Sequence, residues 1–345
     1  MMSSRRFAAI LGLALCLGGC ASIGPLSVAR DRFDYNGEVA RSWKEQMLLN
    51  IVKSRYLDVP VFLDVSQIVS GYTLQGQVTA GTDSDNTAIS GLSAGVGGTY
   101  TDRPTITYTP LTGAQFNREI MTPIPPSTVL FTMTSGWPVD LVFRIAVRGI
   151  NGIESTGPDA PRYDRLLIAM RALQQADAMG MRVISEDKGE IVVVLYFRPT
   201  SLNPEQETLL KDVRTILQLP ADTNEFRVRF GQLRARKGEI SLLTRSLLQI
   251  LIDLGAFVDV PEADLAAGRA PAGAAIKGGT GRLHINYGKD KPERPYVAIA
   301  YRDGWFWIDD TDLDSKRSFS LVLLLSTLTE TGGRESLPLV TIPAG

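Results

Sequence analysis

Both cysteines of this 345-residue chain, Cys16 and Cys20, fall within its first twenty residues. Everything downstream must therefore fold without a disulfide or a thiolate metal ligand, and its hydrophobic core has to suffice unaided. The segment that carries the two cysteines follows a different logic. Arg5 and Arg6 precede an almost wholly apolar run of 11 residues, Phe7 to Leu17, which gives way to the small residues Gly18 and Gly19. This succession of charged, apolar and small residues is the order of a secretory signal. An α-helix needs about 20 apolar residues to cross a bilayer, so the run is too short for a lasting transmembrane anchor.

Leu17-Gly18-Gly19-Cys20 resembles the lipobox of bacterial lipoproteins. The resemblance implies that the Cys20 thiol carries diacylglycerol, that residues 1–19 are removed, and that the new amino group is acylated. Two or more chains hold a protein stably where one holds it only marginally. Cys16 follows Leu15, where the lipobox has a small residue, and is not the expected acceptor. An ordinary cleaved signal with an incidental cysteine is the alternative. By resemblance to lipoproteins of Gram-negative bacteria, Ala21 after Cys20 implies the outer membrane and a periplasm-facing chain, with inner-membrane retention or surface exposure left open. The segments Arg32 to Asn36, Ser42 to Asn50 and Gly304 to Asp310 are similar to proteobacterial envelope lipoproteins of no assigned activity.

Removing residues 1–19 from 345 leaves 326, enough for one large or two ordinary domains. It also takes Arg5 and Arg6 from the 36 basic residues, leaving 34 against 37 acidic, a net charge of −3 with His neutral. A nucleic-acid binder would show a basic footprint, and none is visible.

The expected fold is α+β: largely antiparallel sheets with packed amphipathic helices, plus a Gly/Thr-rich hairpin region near the N-terminus. Residues 20–34 read as a lipidated tether, 35–126 as a helix plus the hairpin region, and 127–345 as an α+β domain. Ala40, Trp43, Met47 and Ile51 recur at helical spacing within a helix expected over about Glu38 to Arg55. Further helices are expected over Trp137 to Arg148, Arg162 to Met179 (stopped by Gly180), Asn203 to Leu219, Glu239 to Leu254 and Lys316 to Thr329. Asn203-Pro204-Glu205-Gln206 is a specific start, with a capping Asn, a first-turn proline and a Gln at the capping-box position. Strands are expected over Arg182 to Glu186, Glu190 to Phe197, Phe226 to Phe230, Leu283 to Tyr287 and Tyr296 to Tyr301, the last paired with Trp305 to Ile308 across Asp303-Gly304. The Ala/Gly-rich residues 262–281 read as a mobile connection.

Tyr72 to Ala80 and Ile89 to Tyr100 alternate strictly. Tyr72, Leu74, Val78 and Ala80 share one face with Leu92, Ala94, Val96 and Tyr100 to match, and the opposite face is Thr, Gln, Ser and Gly. A soluble one-sided antiparallel sheet produces this pattern. So does a transmembrane β-hairpin, provided several copies close a shared barrel.

Few residues qualify as carriers of chemistry. Gly91-Leu92-Ser93-Ala94-Gly95 matches a nucleophile-elbow pattern, with the sole histidine, His284, downstream, but Val96 to Tyr100 does not start the helix that an elbow requires. Without a second His or a free thiol, zinc sites of the usual Cys and His types are excluded. Asp310, Asp312 and Asp314 have the spacing of early calcium-loop ligands, yet Ser315 and Leu321 stand where such a loop needs Gly and Glu, so helix capping is the expected role. Gly278 to Gly281 reads as a linker. Trp305 and Trp307 share one face of a short strand and are candidates for a partner surface if exposed.

The leading expectation is a non-enzymatic envelope scaffold or assembly component, bound to the membrane through acylated Cys20 and to a protein partner or to copies of itself. No cofactor, metal or nucleic acid is expected. Two further readings stand beside it: an oligomeric export or pore subunit that gives the 72–100 hairpin to a shared barrel, and a serine hydrolase using Ser93 and His284.

Overall fold

The stripe of Met47, Leu48, Ile51 and Val52 lies on helix α1 (Ile23–Arg55) and is buried, at 5% exposure or less. The structure is a computed structural model that describes residues 23–69, 72–83, 91–102, 105–185, 191–198, 202–233, 236, 238–272 and 283–329. On the same predicted stripe Ala40 and Trp43 are exposed. The helix starts at Ile23, so residues 23–34, expected as a tether, are helical. Among the described residues no helix is long and apolar enough to cross a membrane.

The architecture is α+β and divides into two units, Val61–Gln115 and the rest of the chain. This differs from the expected division at residue 126, since α1 groups with the larger unit. The smaller unit is a ribbon of two two-stranded antiparallel sheets. Strand β1 (Leu63–Val69) pairs antiparallel with β4 (Thr105–Pro110), and between them in sequence β2 (Tyr72–Asp83) pairs antiparallel with β3 (Gly91–Asp102). The β2–β3 register runs without a bulge from Tyr72↔Asp102 to Asp83↔Gly91.

In the larger unit, α2 (Pro126–Thr134) and α3 (Val139–Ala146) lead into β5 (Val147–Ile150) and β6 (Ile153–Glu154). Helix α4 (Ala160–Gln175) is followed by the hairpin β7 (Met179–Ser185) and β8 (Ile191–Phe197), and α5 (Pro204–Leu217) by β9 (Glu225–Phe230) and β10 (Glu239–Thr244). The strands form one sheet in the order β6-β5-β10-β9-β8-β7, antiparallel except for the β9–β10 pair. Val192 to Leu195 on β8 are buried, as a strand between two others requires. The expected capping box is present: the Asn203 side chain accepts from Gln206 N at 2.9 Å and the Gln206 side chain accepts from Asn203 N at 3.1 Å.

Two expected helices are corrected. Residues 239–254 are not one helix but strand β10 followed by α6 (Leu247–Gly255), started by a second capping box between Ser246 and Gln249. A short apolar run reads equally as strand or helix. Here the place between β5 and β9 decides, burying Ile240 and Leu242 to 1% exposure. Helix α4 ends at Gln175, not at Gly180. Gly180 lies in β7, where a Cβ would meet the Tyr196 ring hydroxyl at 2.5 Å, so glycine there makes room for an aromatic neighbour.

Within residues 262–281, expected as a mobile connection, Glu262–Ala266 form the short helix α7, and residues 273–281 lie outside the described residues. Strands β11 (Asn286–Gly288), β12 (Pro295–Tyr301) and β13 (Gly304–Asp309) then form a sheet in the order β11-β13-β12, and α8 (Leu313–Thr329) follows. Tyr301 pairs with Gly304, so the two-residue turn is Arg302-Asp303, one step before the expected Asp-Gly, with Arg302 at φ 52°. Phe319, Leu321, Val322 and Leu325 of α8 are fully buried.

Candidate functional site

Helix α1 ends in a cap that a leucine does not suit. Leu57 N donates to Ser54 O at 3.3 Å and Asp58 N to Lys53 O at 2.9 Å, the bond pair of a Schellman motif, with Leu57 at φ 60° in the position that glycine usually takes. Helices α4 and α5 close the same way on Asp177 and Gln218, both polar. Leu57 is the apolar exception, and its side chain is 79% exposed. Val59 follows at 76%, and in the ribbon unit Val61 and Leu63 are 48% and 42% exposed. Two apolar side chains are thus exposed where the larger unit's helix ends, and two more where the ribbon begins.

The ribbon adds to this count. Every residue of β4 is exposed, Ile106 and Tyr108 among them. On β2 and β3 the exposed residues include Gln75, Gln77, Thr79, Gly95, Gly97 and Thr99, with Thr79 Oγ1 donating to Gly95 O at 3.3 Å. A two-stranded ribbon is marginally stable in water on its own, and large apolar side chains left in solvent mark interaction surfaces. Sequence reasoning did not single out Leu57, Val59, Val61 or Leu63. The available signal was their period-2 spacing directly after the helix.

In the larger unit, the aromatic strand β13 has the two faces its alternation requires. Phe306 is buried, and around it stand Tyr287, Tyr56 and Tyr301 with ring centroids 5.2, 6.2 and 6.3 Å away. Tyr56 donates to Asp264 Oδ2 at 2.8 Å, Arg269 donates to the same carboxylate at 2.8 Å, and Tyr301 donates to Asp58. The Arg302 guanidinium lies 4.5 Å from the Tyr56 ring centroid. Burial, with the Asp264 bond adding to it, raises the Tyr56 phenol above its ordinary value. Burial and then Asp58 do the same to Tyr301, and the bonds from Arg269 and Tyr56 hold Asp264 below the usual carboxylate range. This cluster ties the end of α1 to the β12–β13 turn, and no pattern along the chain announces it.

Trp305 and Trp307 sit on the opposite face and are half-buried. Their cross-strand neighbours are small: Gly288 and Ala300 beside Trp305, Asn286 and Ala298 beside Trp307. The Trp307 ring leans over Gly288, where a Cβ would come within 3.1 Å, and Lys291 Nζ stands 5.3 Å from the Trp305 ring centroid. Both indoles are thus engaged within their own sheet and keep a partly open edge.

The chemistry candidates resolve individually. Gly91 to Gly95 run straight along β3, so Ser93 is on a strand and not at a strand-to-helix turn. His284 Nε2 lies 3.1 Å from Asp259 Oδ2 with both side chains about half exposed, and its backbone N donates to Ser315 Oγ. Asp312 accepts from Ser315 N at 3.0 Å and Asp309 from Thr311 N at 2.8 Å, so the acidic run caps α8 and its preceding turn. Among the described residues no group of three or more His, Cys, Asp or Glu is placed to hold a metal ion. Cys20 and Gly278 to Gly281 lie outside the described residues. No family model, curated protein or solved structure matches the chain.

Proposed function

We propose that this chain is a lipid-anchored protein of the bacterial envelope, held through acylated Cys20 on the periplasmic side of the outer membrane, that works by assembling with protein rather than by catalysis. The observation that carries this reading is that each unit exposes large apolar side chains of its own, Leu57 and Val59 in the larger and Val61, Leu63, Ile106 and Tyr108 in the ribbon. Burying such side chains is worth about 1.5–3 kcal/mol each, which favours a protein partner or a further copy of the chain. The role is that of a scaffold or assembly component, with Trp305 and Trp307 as a secondary contact surface.

The test is the native mass and composition of the complex extracted in mild detergent with its anchor intact. A stable homo-oligomer or hetero-assembly is expected. A monomer without partners at cellular concentration would overturn the proposal.

A further inference from the structure

Strands β2 and β3 carry an alternation whose two halves meet in register. The pairs Leu74↔Tyr100, Gly76↔Gly98, Val78↔Val96, Ala80↔Ala94 and Thr82↔Leu92 fall on one face. Thr73↔Thr101, Gln75↔Thr99, Gln77↔Gly97, Thr79↔Gly95 and Gly81↔Ser93 fall on the other. A slip of one residue would mix the two sets, so over these ten pairs one face is kept largely apolar and the other polar and uncharged, while the end pairs Tyr72↔Asp102 and Asp83↔Gly91 add one carboxylate to each face. From Tyr72 to Thr82 and from Leu92 to Thr101 no residue is ionisable apart from the two tyrosines.

The dimensions point to a bilayer. Ten residue steps separate Tyr72 from Thr82, which at about 3.4 Å per residue is roughly 34 Å along the strand. Tilted by about 40°, that strand rises roughly 26 Å, against an apolar band of about 25 Å in outer-membrane barrels. The order along the hairpin fits as well. Tyr72 and Tyr100 stand at its base, where barrels carry aromatic girdles, Val78↔Val96 and Ala80↔Ala94 occupy the middle, and Asp83 ends β2 at the far side.

Both edges of the ribbon are unguarded. Among the described residues β2 and β3 pair only with each other, and neither carries the Lys, Glu or Pro with which soluble proteins blunt edge strands. Unpaired backbone cannot face lipid, so a hairpin enters a membrane only if its edges are closed by other strands. Identical neighbours supply these, and an anchor at Cys20 would keep the copies concentrated at one surface.

We infer that the β2–β3 hairpins of several copies of this chain insert into the bilayer and close one shared β-barrel, with the Leu74, Val78, Leu92 and Val96 face toward lipid and the Gln75, Gln77, Thr79 and Gly95 face toward the lumen. The smallest membrane barrels have eight strands, which sets a minimum of about four copies. This rests on the proposed lipid-anchored assembly and names its partner as further copies of the same chain.

The experiment uses the full-length acylated protein reconstituted into phosphatidylethanolamine/phosphatidylglycerol liposomes. With Cys20 blocked by lipid, the substitutions Leu92→Cys, Ser93→Cys, Ala94→Cys, Gly95→Cys, Val96→Cys and Gly97→Cys each introduce one reactive thiol for an environment-sensitive fluorophore. Quenching by nitroxide-labelled lipid is expected to alternate, at least threefold stronger at 92, 94 and 96 than at 93, 95 and 97. Val78→Arg, near the middle of the apolar face, is expected to lower the inserted fraction by tenfold or more, whereas Thr79→Arg retains it. A liposome-bound oligomer in which all six positions are equally open to aqueous quencher would overturn the barrel and leave the assembly standing. A monomeric protein would overturn both.

Discussion

The substitution Leu57→Asn separates the stability of the folded chain from its assembly, because the two respond with opposite sign. An L residue in the left-handed region costs roughly 1–2 kcal/mol, and Asn is among the residues that tolerate it best. Leu57 holds that conformation at φ 60° with 79% of its surface exposed. Only about a fifth of the roughly 2–3 kcal/mol of full leucine burial is realised in the isolated chain, so the substitution forfeits about 0.5 kcal/mol of packing. The balance is a gain of about 0.5–1 kcal/mol for the monomer. In an assembly that covers Leu57, the remaining four-fifths is lost, about 1.5–2 kcal/mol per contact, a weakening of tenfold or more. Urea denaturation of the unassembled protein measures the first quantity through the midpoint at constant m-value. Sedimentation of the extracted complex over a dilution series measures the second. Destabilisation of the monomer by more than about 1 kcal/mol would show that Leu57 packs internally, and an unchanged dissociation profile would show that nothing covers it; either result refutes the reasoning.

Arg245 is 6% exposed, and its guanidinium donates to the carbonyls of Arg144, Ile145 and Val147, to Ser155 Oγ at 2.8 Å and to Asp253 Oδ2 at 2.6 Å. Arg245→Met strands these acceptors and is expected to cost about 3–5 kcal/mol, whereas Asp253→Asn, at a half-exposed partner, costs about 1 or less; chemical denaturation of both compares them. Tyr56 and Tyr301 have phenols raised in the folded state, so their contribution is complete below the unfolded value near 10 and is lost as pH rises beyond it. Stability measured from pH 8 to 11.5 should fall, and fall less in Tyr56→Phe. The depressed Asp264 works in the other direction, its contribution present above about pH 4 and lost as pH drops through the folded value. Asn203→Ala should cost about 1 kcal/mol by removing a cap present on both sides of its box. Cys20→Ser should leave the exported domain folded, seen by its retained circular dichroism.

Legibility followed the locality of the signal. The capping box at Asn203 and the period of β8 are written within a few residues, and the structure follows them. The segment Glu239 to Leu254 failed because its apolar residues suit strand and helix alike, and the choice was made by β5 and β9, neither of them local. Even so, Ser246 and Gln249 repeat the capping-box spacing and could have divided the segment. The turn at Arg302-Asp303 moved by one residue because Gly304 serves the sheet, leaving room for the Tyr287 ring where any Cβ would collide. The Tyr56, Asp58, Asp264 and Arg302 cluster joins residues more than 200 positions apart and has no periodicity that a reading along the chain can detect.

The same contrast bears on function. The larger unit packs a substantial core: Leu48, Phe143, Tyr163, Phe226, Phe306 and Phe319 are all at 1% exposure or less. A chain able to bury six such side chains without a disulfide is not short of hydrophobic packing, so exposed Leu57 and Val59 are not the residue of a poor core. Strain argues the same way, since a leucine kept in a left-handed cap is replaceable by Asn or Gly at no cost to the helix unless its side chain is used. The ribbon has the opposite economy, with β4 exposed throughout and β2 paired only to β3 among the described residues. Two strands cannot bury a face against themselves. A well-packed α+β unit and a ribbon whose strands pair only in twos among the described residues are together what the proposed assembly requires: a fold that holds before assembly, and an element with strand edges and an apolar face for other copies to cover.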